Sequence, residues 1–144
     1  MEKKRTIMKS VARTRRAWKN HMKEIALAVG IPDSYRTVIL FLSRRPGANQ
    51  RNIAEFADVT TSAVNQTVKN MINEGYLRKE TDECDKRNSK LFLTEKGEET
   101  AEKLRERLSI SDESITALIT PEKEAEMMEL LEKITDYIRR DLSC

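Results

Sequence analysis

Ser62, Asn65, Gln66, Lys69 and Asn73 fall at spacings that put them on one face of a helix spanning Thr61–Glu74. They are short hydroxyls and amides with one amine, and no acid interrupts them before Glu74. Amides and hydroxyls can hydrogen-bond the edges of bases, and an amine can reach phosphate or guanine. An ordinary solvated helix face has a similar composition, so the flanking residues must decide. Downstream comes the polar run Asp82-Glu83-Cys84-Asp85-Lys86-Arg87-Asn88, which is too polar to be core. An arginine near such a tip, here Arg87, can enter a minor groove, where negative potential is focused. Asp85 stands two residues before it and can hold the guanidinium in a set orientation. A carboxylate facing a polyanion is otherwise unfavourable.

Those groups need elements to aim them. A short helix over Asn49–Ala57, capped by Asn49, precedes a corner at Asp58–Thr60 that turns Val59 inward. Thr60 or Thr61 caps the helix that follows, whose inward row is Val64, Val68 and Met71 with Ile72 beside them. Gly75 ends that helix where a left-handed residue is usually required. Tyr76–Thr81 and Ser89–Leu93 then pair as a hairpin around the charged tip. Two helices joined by a tight turn can present one of them to a major groove.

The rest of the chain reads as long helices. Ile7, Val11, Trp18, Met22, Ile25 and Val29 form one apolar stripe from about residue 3 to residue 29, closed by Gly30 and Pro32. At 1.5 Å per residue such a helix is about 40 Å long, more than a small domain can cover. Its stripe therefore calls for a partner chain. Asp33 or Ser34 caps a second helix running to Arg45. Thr94 caps a helix with Ala101, Leu104, Leu108, Ile115 and Leu118 spaced close to heptad fashion, and Ser111, which interrupts that row, allows a bend or break near Ser109–Asp112. Thr120-Pro121-Glu122 starts a last helix lined by Met127, Leu131, Ile134 and Ile138.

Composition narrows the function classes. The 144 residues suit one domain. With 38% hydrophobic and 35% charged residues, the chain is lean for an isolated globule and points to solvent-facing helices or a core completed by a second subunit. Nine Lys and Arg lie in residues 1–25 against Glu2 and Glu24, and acids are in surplus from Glu95 onward. Such asymmetry can mark a polyanion-facing side. Cys84 and Cys144 make neither a metal pattern nor a disulfide framework. No metal, no cofactor and a cytoplasmic setting are expected. His21 is the only histidine, no glycine-rich phosphate loop occurs, and carboxylates are scattered over helix surfaces, which argues against an enzyme.

Several of these residues together resemble the MarR (multiple antibiotic resistance regulator) family. The pattern runs Asn49-Gln50-x-x-Ile53-Ala54, Val59-Thr60, Val64, Met71, Gly75, Asp82-x-x-Asp85-Lys86-Arg87 and Leu93-Thr94-Glu95-Lys96-Gly97. The resemblance implies a mainly α fold with a small β-hairpin wing, a winged helix-turn-helix with long N- and C-terminal dimerisation helices. It assigns residues 34–97 to DNA binding, with 1–30 and 100–144 to the dimer. It further implies a homodimeric regulator, expected to be a repressor, on a pseudo-palindromic operator in double-stranded DNA. Carried over by position, Thr61, Ser62, Asn65, Gln66 and Lys69 read the major groove. Arg87 enters the minor groove, oriented by Asp85. Release by a small phenolic or lipophilic anion is also implied, with no ligand residues assigned. Phe56, Ala57 and Met71 depart from the family's usual choices. The rival reading keeps the winged helix and uses it to bind protein instead of DNA.

Overall fold

The computed structural model describes residues 4–81, 83–85 and 88–142. Helix α1 (Ile7–Val29) leads to α2 (Asp33–Arg44), α3 (Gln50–Ala57) and α4 (Thr61–Asn73). Strands β1 (Leu77–Glu80) and β2 (Lys90–Leu93) follow, then α5 (Glu95–Thr116) and α6 (Pro121–Leu142). The chain divides into two units, Met1–Glu106 and Arg107–Cys144.

Within the first unit α2 is the central element, packing against α1, α3, α4 and β2. Its sequence explains this: Tyr35, Val38, Ile39, Phe41 and Leu42 are all buried, on more than one side of the helix. Ile39, Leu42, Ile53, Val68, Met71, Leu91 and Leu104 are the largest fully buried side chains. They come from α2, α3, α4, β2 and α5, so one core unites the helices with the hairpin. Burying a side chain of this kind contributes roughly 1.5–3 kcal/mol.

Local signals set the boundaries. Helix α1 starts at Ile7, later than expected, because Thr6 caps it by accepting from the Lys9 amide at 3.2 Å. Its stripe is buried only at the C-terminal end, at Met22, Ile25 and Ala26, whereas Ile7 stays 68% exposed. Asp33 does not cap α2. Pro32 occupies that position without a side-chain bond, and the Asp33 carboxylate instead accepts from Arg36 Nε at 2.8 Å. Asn49 makes a reciprocal capping box with Asn52 at the start of α3.

The hairpin is antiparallel, with Leu77 opposite Leu93 and Glu80 opposite Lys90. It is extended at one edge, since Leu91 exchanges backbone bonds with the loop before α3: Gly47 N donates to its carbonyl at 2.9 Å, and its own N donates to Ala48 at 3.0 Å. Gly97, in the first turn of α5, lies beneath the hairpin. A Cβ there would stand 2.3 Å from the Tyr76 carbonyl oxygen and 3.1 Å from a Leu93 methyl. Gly97→Ala is therefore expected to lower stability by about 1–3 kcal/mol, the usual cost of overpacking. A urea melt would read this, and an unchanged midpoint would show that the hairpin shifts without cost.

The sequence allows a bend or break near Ser109–Asp112; there is no break, and α5 continues as one helix to Thr116. Within it the serine hydroxyls bond back one turn, Ser111 to the Arg107 carbonyl at 3.2 Å and Ser114 to the Ile110 carbonyl at 2.9 Å, so they do not compete for the helix's own backbone N–H groups. Helix α6 begins at Pro121, with the Thr120 hydroxyl accepting from Lys123 N at 3.4 Å. It has no buried residue: Met127, Leu131 and Ile138 remain 51%, 42% and 37% exposed. An apolar stripe that its own chain leaves in water stands out against a typical surface helix.

Candidate nucleic-acid interface

Helix α4 turns Val64, Val68 and Met71 into the core, each under 4% exposed. That fixes the opposite face outward. Thr61, Ser62, Gln66 and Lys69 are exposed and Asn65 is half-buried. Five of the expected site residues therefore lie along one helix, outside the packed core. The Thr60 hydroxyl caps α4 by accepting from Ala63 N at 3.2 Å, so Thr61 is the first helical residue. Asn70 was missed by the sequence reading. Its Oδ1 accepts from Gln66 Nε2 at 3.1 Å, which fixes how the Gln66 amide is turned. The i, i+4 spacing of Gln66 and Asn70 was the available signal.

At its C-terminal end α4 closes in a left-handed turn at Gly75, φ 84°. Gly75 N donates to Ile72 O at 3.1 Å and Tyr76 N to Met71 O at 2.9 Å, a Schellman arrangement. Around this turn, neighbouring elements converge. The buried Tyr35 of α2 donates from its hydroxyl to Glu74 Oε1 at 3.0 Å. Lys96 Nζ donates to the Glu74 carbonyl at 2.8 Å and sits 4.3 Å above the Tyr76 ring. Thr94 Oγ1 donates to the Gly75 carbonyl and accepts from Gly97 N at 3.2 Å. Burial, and after it the Glu74 carboxylate, hold the Tyr35 hydroxyl above the usual tyrosine range. It stays a donor at neutral pH. The stability it contributes is present below the ordinary tyrosine pKa of about 10 and is lost as pH rises past that value.

The base of the wing is tied to the helices by one amide. Asn49 caps α3 through its Oδ1, which accepts from Asn52 N at 2.8 Å, while its Nδ2 donates to Asn88 Oδ1 at 3.1 Å. Asn88 in turn bonds Asp85, backbone to backbone at 3.1 Å and side chain to side chain at 3.4 Å. Asp85 is exposed. Arg87 lies outside the described residues, as do Asp82, Lys86 and Cys144. The orienting role assigned to Asp85 is therefore an expectation. Cys84, exposed on the same loop, stands between Glu83 and Asp85.

Val59 does not turn into the core as expected; it is 49% exposed. Asp58 takes a left-handed conformation, φ 53°, at the end of α3. Val59 instead lines a cavity of about 540 Å³ between α1, α2, α3 and α4. Trp18, Met22, Val38, Ile53 and Val64 supply apolar wall there, and Arg15, Lys19 and Arg36 supply positive charge. Arg36 is already engaged by Asp33. No single spacing marked this set, because its members are contributed by four helices.

The sequence pattern of the MarR family matches residues 29–88, which contain α2, α3, α4 and the hairpin tip. A helix-turn-helix transcriptional regulator of Bacillus subtilis, YybA, itself uncharacterised, is 31% identical over 112 residues, covering 76% of this chain and 75% of its own. A crystallised MarR family transcription regulator has the same fold at a TM-score of 0.85 and 15% identity, covering 93% of this chain and 91% of that one. A Mycobacterium tuberculosis MarR family protein, solved in complex with salicylic acid, matches at a TM-score of 0.70 and 19% identity, over 93% and 99% of the two chains.

Proposed function

The chain belongs to the MarR family of transcriptional regulators, and on that premise we propose a homodimeric, sequence-specific DNA-binding repressor that works in the cytoplasm and catalyses no reaction. One α4 enters each of two major grooves, with Thr61, Ser62, Asn65, Gln66 and Lys69 toward the bases and phosphates. Arg87 enters the flanking minor groove with Asp85 behind it. Residues 34–97 form the part that meets DNA, while 1–30 and 100–144 hold the dimer. The observation that carries this reading is the α4 surface: acid-free from Thr61 to Asn73 and facing away from the core, while Asn49 ties the wing to the start of α3.

The uncovered stripe of α6 supports the dimer. Charge supports it too. Within Ile7–Val29 there are six bases and one acid, while Pro121–Leu142 has seven acids and four bases. A pair of copies would present half-sites about one helical turn, ~10 bp, apart on a pseudo-palindrome. The cavity beside α4 supports ligand control. An apolar wall with Arg15 and Lys19 suits a small phenolic or lipophilic anion. Such a ligand touches Val64 and Thr67 of α4 and can bias where that helix sits.

Selection of bound duplexes from a random pool tests the proposal, first without ligand and then with a phenolic carboxylate such as salicylate. A recovered pseudo-palindrome that is lost in the second pool is expected. A pool with no enriched sequence would favour the protein-binding reading. A further expectation concerns salt. Binding that neutralises several phosphates releases counterions, so log affinity should fall linearly with log salt at a slope of about −0.9 per phosphate contact. A flat titration would count against phosphate contacts from Lys69 and its neighbours.

A further inference from the structure

Helix α4 is held unequally at its two ends. Its first turns carry their own hydroxyl cap, and Ala63, Val64 and Thr67 border the cavity. At the other end, bonds from α2, the start of α5 and the residue before it close on Glu74, Gly75 and Tyr76. Glu74 itself is costly there. A carboxylate at a helix C-terminus opposes the helix dipole, and beside a DNA-reading face it repels phosphate. Its neighbours offset only part of that, since Lys96 bonds its carbonyl oxygen and the carboxylate accepts from the neutral Tyr35 hydroxyl.

We propose that Glu74 is a positioning residue for operator recognition, and that the Tyr35–Glu74 bond is a strut fixing the angle at which α4 leaves the core. The proposal rests on the reading of α4 as the helix that enters the major groove. Leverage makes the angle matter. Helix α4 has 13 residues, about 20 Å at 1.5 Å per residue. A tilt of roughly 10° about its C-terminal end then moves Thr61 by about 3 Å, as far as a hydrogen bond is long. Contacts with phosphate survive such a shift through long flexible side chains, whereas paired bonds to base edges do not. The strut thus acts on specificity more than on overall affinity. Tyr35 is well suited to such a strut, because the residue is 5% exposed and its ring meets Tyr76 edge-on at 5.7 Å, which gives its hydroxyl a set direction.

Fluorescence anisotropy on the full chain, with the selected operator and a scrambled duplex of equal length at one salt concentration, tests this. Tyr35→Phe and Glu74→Met should each lower the operator-to-scrambled affinity ratio about tenfold. Affinity for the scrambled duplex should hold with Tyr35→Phe and rise with Glu74→Met, which removes a negative charge. Glu74→Gln keeps an oxygen that can accept the Tyr35 hydroxyl and should keep the ratio. The double variant should lose no more than either single one, because both remove the same bond. Glu74 is exposed, so its variants report on the strut even if Tyr35→Phe unfolds. A wild-type ratio in Glu74→Met, additive losses in the double variant, or an equal loss in Glu74→Gln would overturn the proposal. A wild-type protein without operator preference would overturn the DNA reading along with it; wild-type preference with unchanged variants would remove the strut alone.

Discussion

Leu131→Glu is expected to leave each chain folded and to raise the dimer dissociation constant by roughly a thousandfold. The reasoning starts from α6, which has no buried residue and leaves Leu131 42% exposed in its own chain. A glutamate at that position costs little while water still reaches it. In a two-fold dimer closed over the stripe of Met127, Leu131, Ile134 and Ile138, the same change buries two carboxylates. At about 2 kcal/mol or more each, a modest figure for an unpaired buried charge after relaxation, the total corresponds to about three decades in affinity. Sedimentation equilibrium at micromolar concentration reads the result, with circular dichroism as the check on folding. Operator binding should fall with the dimer, because each half-site then binds alone. A variant that sediments like the wild type would mean that α6 is not the interface.

Arg87→Ala should cost about 1–3 kcal/mol of operator affinity, the usual range for a good groove contact, or roughly five- to 150-fold. The effect should be larger for operators flanked by A·T pairs, whose narrow minor groove concentrates negative potential. That dependence separates a groove contact from a simple phosphate contact, which would weaken all duplexes alike. Asp85→Ala should act in the same direction and more weakly, since on the proposed reading Asp85 only orients Arg87 and makes no contact with the groove itself. Asp85 also bonds Asn88, which Asn49 holds, so part of its effect should reach the wing base. Equal operator affinity for Arg87→Ala and wild type would take the wing arginine out of the mechanism.

The central helix-turn-helix was legible because its signals are local. Asn49, Thr60, Gly75 and Thr94 each act on backbone groups within a few residues, and the structure finds them at the caps and turn expected. The inward row Val64, Val68 and Met71 follows from the helical period alone, and with it the outward face of Ser62, Asn65, Gln66 and Lys69. The acid-free surface and the hairpin beside it were thus readable before any coordinates. So was the apolar stripe of α6, which is a property of one helix; that its own chain leaves the stripe uncovered is seen only in the structure.

Tertiary structure decided what depends on residues far apart in the chain. Val59 looked inward by its place in the corner, and the left-handed Asp58 sends it to the cavity wall. Trp18, Arg15 and Val64 share that cavity only because α1 and α4 are brought together, which no periodicity encodes. The bond from Tyr35 to Glu74 spans 39 positions, and Gly97 is required because Tyr76 O lies where its Cβ would be. Caps and periods act over a turn or two of chain, so composition and spacing determine them. Which side chains meet across the core depends on how whole helices pack, and that is set by all the buried residues at once.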